Sequence, residues 1–194
     1  MKYLWNLKSS VYHRIRLIPG IRWVIDQESG HLRNLLPDTI HQQSFILDVG
    51  SGAGTSLDIF PDDIPVVAVD HSFSMVKQAG RRRGRLYGIV ADARALPIKS
   101  GTVPFCSCIG VSEYISSVRN MLKEFSRVLL PEGLLLITSA RKNLLNRIRY
   151  LLGHRLFLFP KQAWDQWLGT AGFRLAGQRR SMLQYQYFAE KRGQ

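Results

Sequence analysis

The sequence predicts an α/β domain built on a doubly wound, mostly parallel sheet, and three observations carry that prediction. Short apolar runs suited to buried strands alternate with segments of helical period. The first three runs each carry an aspartate at or near their carboxyl end: Asp48, Asp70 and Asp92. The first of them runs straight into a loop with three glycines in five residues, "GSGAG". In such sheets the ligand sits at the carboxyl ends of the strands, near the point where strand order reverses.

The elements follow in order. "FILDV" (45–49) reads as the first strand and "VVAVD" (66–70) as the second, with a short helix from Thr55 that closes at Pro61 between them. A helix over "SFSMVKQAGRRR" begins at Ser72 or Ser74, both suitable caps. "LYGIVAD" (86–92) is the third strand and "VPFCSCIG" (103–110) the fourth, with Pro104 tolerated only near its start. Val118, Leu122, Phe125 and Leu129 mark one face of a helix. "PEG" turns that helix into "LLLITSA" (134–140), a fifth buried strand. "KQAWDQWLGTAGF" forms a last helix ending near Gly172. "FRLAGQRR" and "LQYQYFAEKR" are two final strands, close enough to pair antiparallel.

The 194 residues suit one domain with a small appendage, and the 45% hydrophobic content is that of a soluble globular protein. No apolar run approaches the ~18 to 20 residues of a membrane span. Lys8, Arg14 and Arg16 interrupt the N-terminal stretch, which therefore lacks the apolar core of a signal peptide. Cys106 and Cys108 are expected to be free thiols, which fits a cytoplasmic protein, and no metal cluster is expected. The charge is the unusual property: 27 basic against 14 acidic residues, a formal +13. Such a balance suits an anionic membrane surface, a nucleic acid or an acidic small molecule.

The glycine loop selects among ligands. A phosphate-cradling loop needs a lysine after its last glycine, and Gly54 is followed by Thr55 and Ser56. A dinucleotide loop wants its third glycine three residues after the second, whereas Gly50, Gly52 and Gly54 are spaced by two. Asp48, just before the loop, would repel a pyrophosphate and suits an ammonium group. Asp70 suits ribose hydroxyls, which a carboxylate accepts in bidentate fashion. Asp92 suits an exocyclic amine such as adenine's. An amino acid end, a ribose and an adenine without phosphates describe S-adenosylmethionine (SAM).

"LDVGSGAGT", "VAVDHSFSMV", "VADARALPI", "CIGVSEYI" and "LKEFSRVLLPEGLLLIT" occur here in the order seen in class I SAM-dependent methyltransferases. The chain resembles most the small ubiquinone and menaquinone types, from about Phe45 to Thr138 and again at "WLGTAGF". The resemblance implies a Rossmann-like, seven-stranded sheet whose last strand is antiparallel. It implies that Asp48 holds the methionine end of the cofactor, through water or directly, and that Gly50 and Gly52 let the main chain approach it. Asp70 would take the ribose, His71 lie against the adenine, and Asp92 with the Ala93 N–H meet the adenine edge. Ile109 and Gly110 would line the sulfonium side. One departure is Cys106, where the family often has an aspartate.

Methyl transfer needs alignment above all, and a general base only when the acceptor must lose a proton. Glu113 and Tyr114, in the loop after the fourth strand, are the candidate acceptor-side catalytic groups. That loop lacks the Asn/Asp-Pro-Pro-aromatic pattern of nucleic-acid amino methyltransferases. The cysteines lie within a strand, unlike a Pro-Cys nucleophile of cytosine C5 enzymes.

Residues 1–40 read as an N-terminal helical lid and 41–194 as the catalytic domain, with an amphipathic insertion at about 141–160. In the insertion, Leu144, Leu145, Ile148, Leu151 and Leu152 share a helical face bordered by arginines, a pattern suited to an anionic membrane interface. The acceptor expected is a small amphiphile, a quinone precursor or lipid, reached at the membrane surface. An RNA or ribosome-associated substrate and a non-catalytic SAM-binding scaffold are the alternatives. The acceptor atom and the oligomeric state are not encoded in any motif.

Overall fold

The computed structural model of the chain describes residues 19–143, 146 and 156–193. Helix α1 spans Pro19–Arg33. Strands β1 (Ile46–Val49), β2 (Val66–Asp70), β3 (Leu86–Val90), β4 (Val103–Cys108) and β5 (Leu129–Ala140) alternate with helices α2 (Phe73–Ala79) and α3 (Val118–Val128). Helix α4 (Lys161–Thr170) then leads into the hairpin of β6 (Phe173–Arg180) and β7 (Gln184–Lys191). The seven strands lie in the order β3-β2-β1-β4-β5-β7-β6. The first five are parallel, and β7 runs antiparallel to both β5 and β6. This is the expected Rossmann-like fold, and strand order reverses between β1 and β4.

Period-two alternation puts a core on each face. Leu47, Val49, Cys106 and Cys108 point to one side, where Leu122 and Phe125 of α3 and Trp164 of α4 cover them. Trp164 stacks on Tyr187 of β7 with centroids 5.8 Å apart. Ile46, Ala68, Phe105, Leu136 and Phe188 point to the other side, beneath Leu32 of α1 with Leu57 and Phe60. Each such Leu, Ile, Val or Phe contributes about 1.5–3 kcal/mol of burial, so the two layers fix which way the central strands face.

Three local differences from the expected elements have physical reasons. The helix expected from Thr55 is only a short 3₁₀ turn, Thr55–Ile59, squeezed between left-handed Gly54 and Pro61. Arg83, buried, closes this abbreviated connection by donating to the carbonyls of Leu57 (3.3 Å), Ile64 (3.1 Å) and Pro61. Leu129 opens β5 instead of closing α3. The strand then passes through "PEG", where Glu132 has φ +62°. Of the stretch read from the sequence as an N-terminal lid, the described residues hold α1 and the start of a 3₁₀ turn, Asp38–Gln42. Residues 1–18 and most of the expected amphipathic insertion lie outside the described residues.

Candidate cofactor and active site

The loop after β1 turns back over the end of β2, with Gly50 and Ser51 both donating backbone N–H to the Val69 carbonyl (2.6 and 3.0 Å). Gly50, Gly52 and Gly54 have φ of 75°, 51° and 81°, a region that glycine enters at no steric cost. A Cβ on Gly50 would stand 2.2 Å from Cγ2 of Val111, so this glycine lets the β1 loop meet the β4 loop. A Cβ on Gly52 would meet nothing within 4 Å, so this glycine opens onto the space above the sheet.

Asp70, at the end of β2, fastens the loop. Its Oδ2 accepts the Gly52 N–H at 3.0 Å, and its Oδ1 accepts the Ser72 N–H at 2.9 Å. His71 Nδ1 lies 3.3 Å from the same Oδ1, with its ring half-exposed. Oδ2, which meets only the Gly52 N–H, retains a second lone pair with which Asp70 can accept from a ribose hydroxyl.

Asp48 lies behind the loop, 1% exposed. In the β1–β4 register it stands opposite Ser107, whose hydroxyl donates to Oδ1 at 2.5 Å, and Ser56 donates to Oδ2 at 3.0 Å. Burial pushes its pKa up to about 6, against the lowering effect of the two serines. Both oxygens thus meet serine hydroxyls, so what Asp48 offers the space above the loop is its field. Sequence reasoning missed Ser107 because its role depends on β4 lying beside β1, and Ser56 because its role depends on the 3₁₀ turn folding back over Asp48.

Asp92 is held by Arg94, whose Nε donates to Oδ1 at 2.9 Å and whose terminal nitrogen donates to Oδ2 at 2.6 Å. The Arg94 backbone N–H also donates to Oδ1 at 2.9 Å. The guanidinium holds the Asp92 pKa down at about 2. The expected adenine contact would therefore share this carboxylate with Arg94, a partner two residues away that the motif did not flag. Ala93 beside it is half-buried.

On the other side of the opening, Ile109 packs against the α1-side core. Gly110, at φ +70°, donates its N–H to Oγ1 of Thr138 at 2.8 Å. Ser112 donates to the Thr138 carbonyl at 2.7 Å, so β5 fixes the conformation of the β4 loop. Glu113 is buried at 4% exposure, and Tyr114 is half-buried. The Phe157 N–H donates to the Glu113 carbonyl at 2.7 Å, which brings the segment after the insertion against this loop.

The structure thus gathers Asp48, Gly50, Gly52, Asp70 and His71 around one loop, with Asp92 and Ala93 at the end of neighbouring β3. Ile109, Gly110, Glu113 and Tyr114 flank it across the strand-order reversal. The two cysteines are free and buried, and burial raises both thiols well above their usual range. A groove of about 430 Å³ between Arg33, His41, Asp58 and Phe60 lies at the opposite, amino edge of the sheet and shares no residue with this site.

Residues 47–137 match the family described as "Methyltransferase domain". The chain is 33% identical over 95 residues to demethylmenaquinone methyltransferase of Renibacterium salmoninarum, an alignment covering 48% of this chain and 40% of that protein. It is 29% identical over 136 residues to the tRNA (carboxymethyluridine(34)-5-O)-methyltransferase ALKBH8 of Mus musculus, covering 67% of this chain and 20% of that protein. The aligned region thus spans less than half the length of these curated relatives. Among solved structures, a SAM-dependent methyltransferase of Thermotoga maritima superposes with TM-score 0.80 at 18% identity, covering 99% of this chain and 100% of that one. Magnesium protoporphyrin IX methyltransferase of Synechocystis, solved with bound S-adenosylhomocysteine (SAH), superposes with TM-score 0.75 at 16% identity over 97% and 98%.

Proposed function

Residues 47–137 form a class I SAM-dependent methyltransferase domain, and from that premise we propose that the chain transfers the SAM methyl group to a small amphiphilic acceptor, a quinone precursor or lipid, met at a membrane surface from the cytoplasm. The observation that carries the cofactor half is the Asp70–Gly52 bond beneath an open, glycine-built loop. The likeness to demethylmenaquinone methyltransferases and the +13 charge support the acceptor half.

When bound, SAM supplies an electrophilic methyl on a sulfonium. The chain's own groups then hold and align. Asp70 accepts from a ribose hydroxyl while keeping the Gly52 N–H, so cofactor and loop share one anchor. Asp48, charged above its pKa of about 6, sets a negative field behind the opening that favours the ammonium. His71 lies against the adenine, with Asp92 and the Ala93 N–H at its edge. Ile109 and Gly110 bound the sulfonium side. Orienting donor and acceptor in line contributes up to about 7–11 kcal/mol in favourable cases. Glu113 serves as base where the acceptor loses a proton, and Tyr114 as a hydrogen-bonding group on the acceptor.

An RNA acceptor is the second reading, favoured by the alignment with ALKBH8 over 67% of this chain. Incubating the protein and cell extract with methyl-labelled SAM separates the two. Label in the organic phase supports the amphiphilic acceptor, and label in RNA reverses the order. SAH binding without transfer to any fraction would make the chain a scaffold.

A further inference from the structure

Helix α1 and the segment after β5 both grip the tip of the β6–β7 hairpin. Buried Glu28 of α1 accepts the Leu183 N–H at 3.0 Å and receives Gln186 Nε2 at 3.0 Å. The Leu183 carbonyl accepts the Arg141 N–H at 2.9 Å and Asn146 Nδ2 at 2.8 Å. Asn143 Nδ2 donates to the Met182 carbonyl at 2.7 Å. The Arg141 guanidinium donates to the Ser181 carbonyl and lies over the Tyr185 ring, 5.7 Å from its centroid. Because β6 runs parallel to β5, this rigid tip stands at the carboxyl edge of the sheet, the edge that carries the glycine loop.

The chemistry of the tip is one-sided. Arg179, Arg180 and Lys142 are exposed and make no ion pair among the described residues, whereas Arg174 at the far end of the hairpin is paired with Glu190 at 2.6 Å. The carboxylate bonded to the tip, Glu28, is buried and spent on its hydrogen bonds. Paired strand residues share a face, so Arg179 sits on the Gln186 side of the sheet and Arg180 on the Tyr185 side. Met182 at the apex is 48% exposed. Helix α1 descends from this edge towards β1, and Trp23, 56% exposed, lies on the turns before Glu28. The stretches 1–18, 144–145 and 147–155 contain seven Lys and Arg and no acidic residue.

We infer that the β6–β7 hairpin tip, with Trp23 beside it, is the surface that docks the protein on an anionic lipid bilayer. Arg179, Arg180 and Lys142 meet acidic headgroups, each cation near such a surface adding attraction. Met182 and the Trp23 indole enter the interfacial layer, where one apolar and one amphipathic side chain are both favoured. The docked edge is the one that carries the glycine loop, with β4 and β5 between the tip and β1, so bilayer and donor face the same edge of the sheet. This inference rests on the amphiphilic-acceptor reading above and assigns it a docking element.

Flotation with vesicles tests it. The full chain is mixed with phosphatidylcholine vesicles containing roughly 30% phosphatidylglycerol, and with phosphatidylcholine alone. Wild type is expected to float with the anionic vesicles only. Arg179→Glu/Arg180→Glu is expected to lower the bound fraction at least about ten-fold, and Met182→Asp about five-fold. Lys77→Glu/Arg81→Glu, an equal charge change at the end of α2, is expected to leave it within about two-fold. Equal losses in both double variants, or no loss in the hairpin variant, would overturn the docking surface. So would a short single-stranded RNA that displaces the vesicles by binding these arginines more tightly. SAH binding by each variant is measured in parallel. Its absence in wild type would strike the underlying methyltransferase reading, while its retention without flotation would strike the docking alone.

Discussion

Ser107 of β4 donates its hydroxyl to Asp48 Oδ1 of β1 at 2.5 Å, within the sheet and beneath the cofactor loop. The strand register makes this contact inevitable, because Asp48 and Ser107 stand opposite each other on the same face. Burial outweighs the lowering effect of this bond and leaves the carboxylate with a pKa of about 6 where an unfolded chain has 3.8. Between those values the folded chain binds the proton more tightly than the unfolded one. Stability from this group is therefore greatest below about pH 4 and falls as pH rises through 6, by about 3 kcal/mol in all.

Asp48→Asn should remove that slope. Its melting temperature at pH 7 is expected to exceed wild type, and the two should converge towards pH 4. Thermal melts across pH 4–7.5 measure the difference, and a wild-type curve parallel to the variant's would show that the buried charge costs nothing.

The glycines separate packing from binding. Gly50→Ala forces a Cβ to 2.2 Å from Val111 and strains a φ of +75°, so unfolding free energy should fall by about 2–4 kcal/mol. Gly52→Ala meets open space and bears only the cost of its φ, about 1 kcal/mol. Its methyl group enters the opening itself, so SAH affinity should fall more than stability does. Chemical denaturation and calorimetry on both variants would expose any reversal of that order.

Arg83 closes the short β1–β2 connection. Its buried guanidinium holds the carbonyls of Leu57, Pro61 and Ile64 across the abbreviated β1–β2 connection. Arg83→Met keeps the stem but orphans these acceptors, at an expected cost of about 2–4 kcal/mol. Arg81→Met, exposed on the same run, should stay within about 0.5 kcal/mol of wild type. Paired urea titrations decide whether the two positions differ.

Glu113→Gln tests the base. With an acceptor that loses a proton, kcat should fall about a hundred-fold while SAH affinity holds within about two-fold. Tyr114→Phe should instead raise the acceptor KM. A full-rate Glu113→Gln enzyme would assign this buried residue to the support of the β4 loop.

Most of the architecture was legible because buried strands and helix faces impose their own periods. The glycine loop and Asp70 were legible because positive φ and a strand-end carboxylate have few other uses. The short helix expected from Thr55 to Pro61 is present, wound as a 3₁₀ turn over Thr55–Ile59. Its tighter winding depends on left-handed Gly54 and the buried Arg83 guanidinium, which no apolar period records. Ser107 carries no sequence signal since it matters only once β4 lies beside β1, and Ser56 none since it matters only once the 3₁₀ turn folds back over Asp48. The capture of Asp92 by Arg94 is a local pairing that competes with the motif's expected role. Burial of Glu113 follows from Ser112 and Gly110 binding to Thr138, a contact between segments 26 or more residues apart.

The central claim is that the loop fastened by Asp70 is a SAM site. Calorimetric titration of the full chain with SAH tests it most directly, with Asp70→Ala alongside. Wild type is expected to show one saturable site, and the variant a loss of at least about a hundred-fold, since it forfeits the ribose acceptor and the Gly52 anchor together. Absence of binding by wild type, or equal affinity in Asp70→Ala, would contradict it.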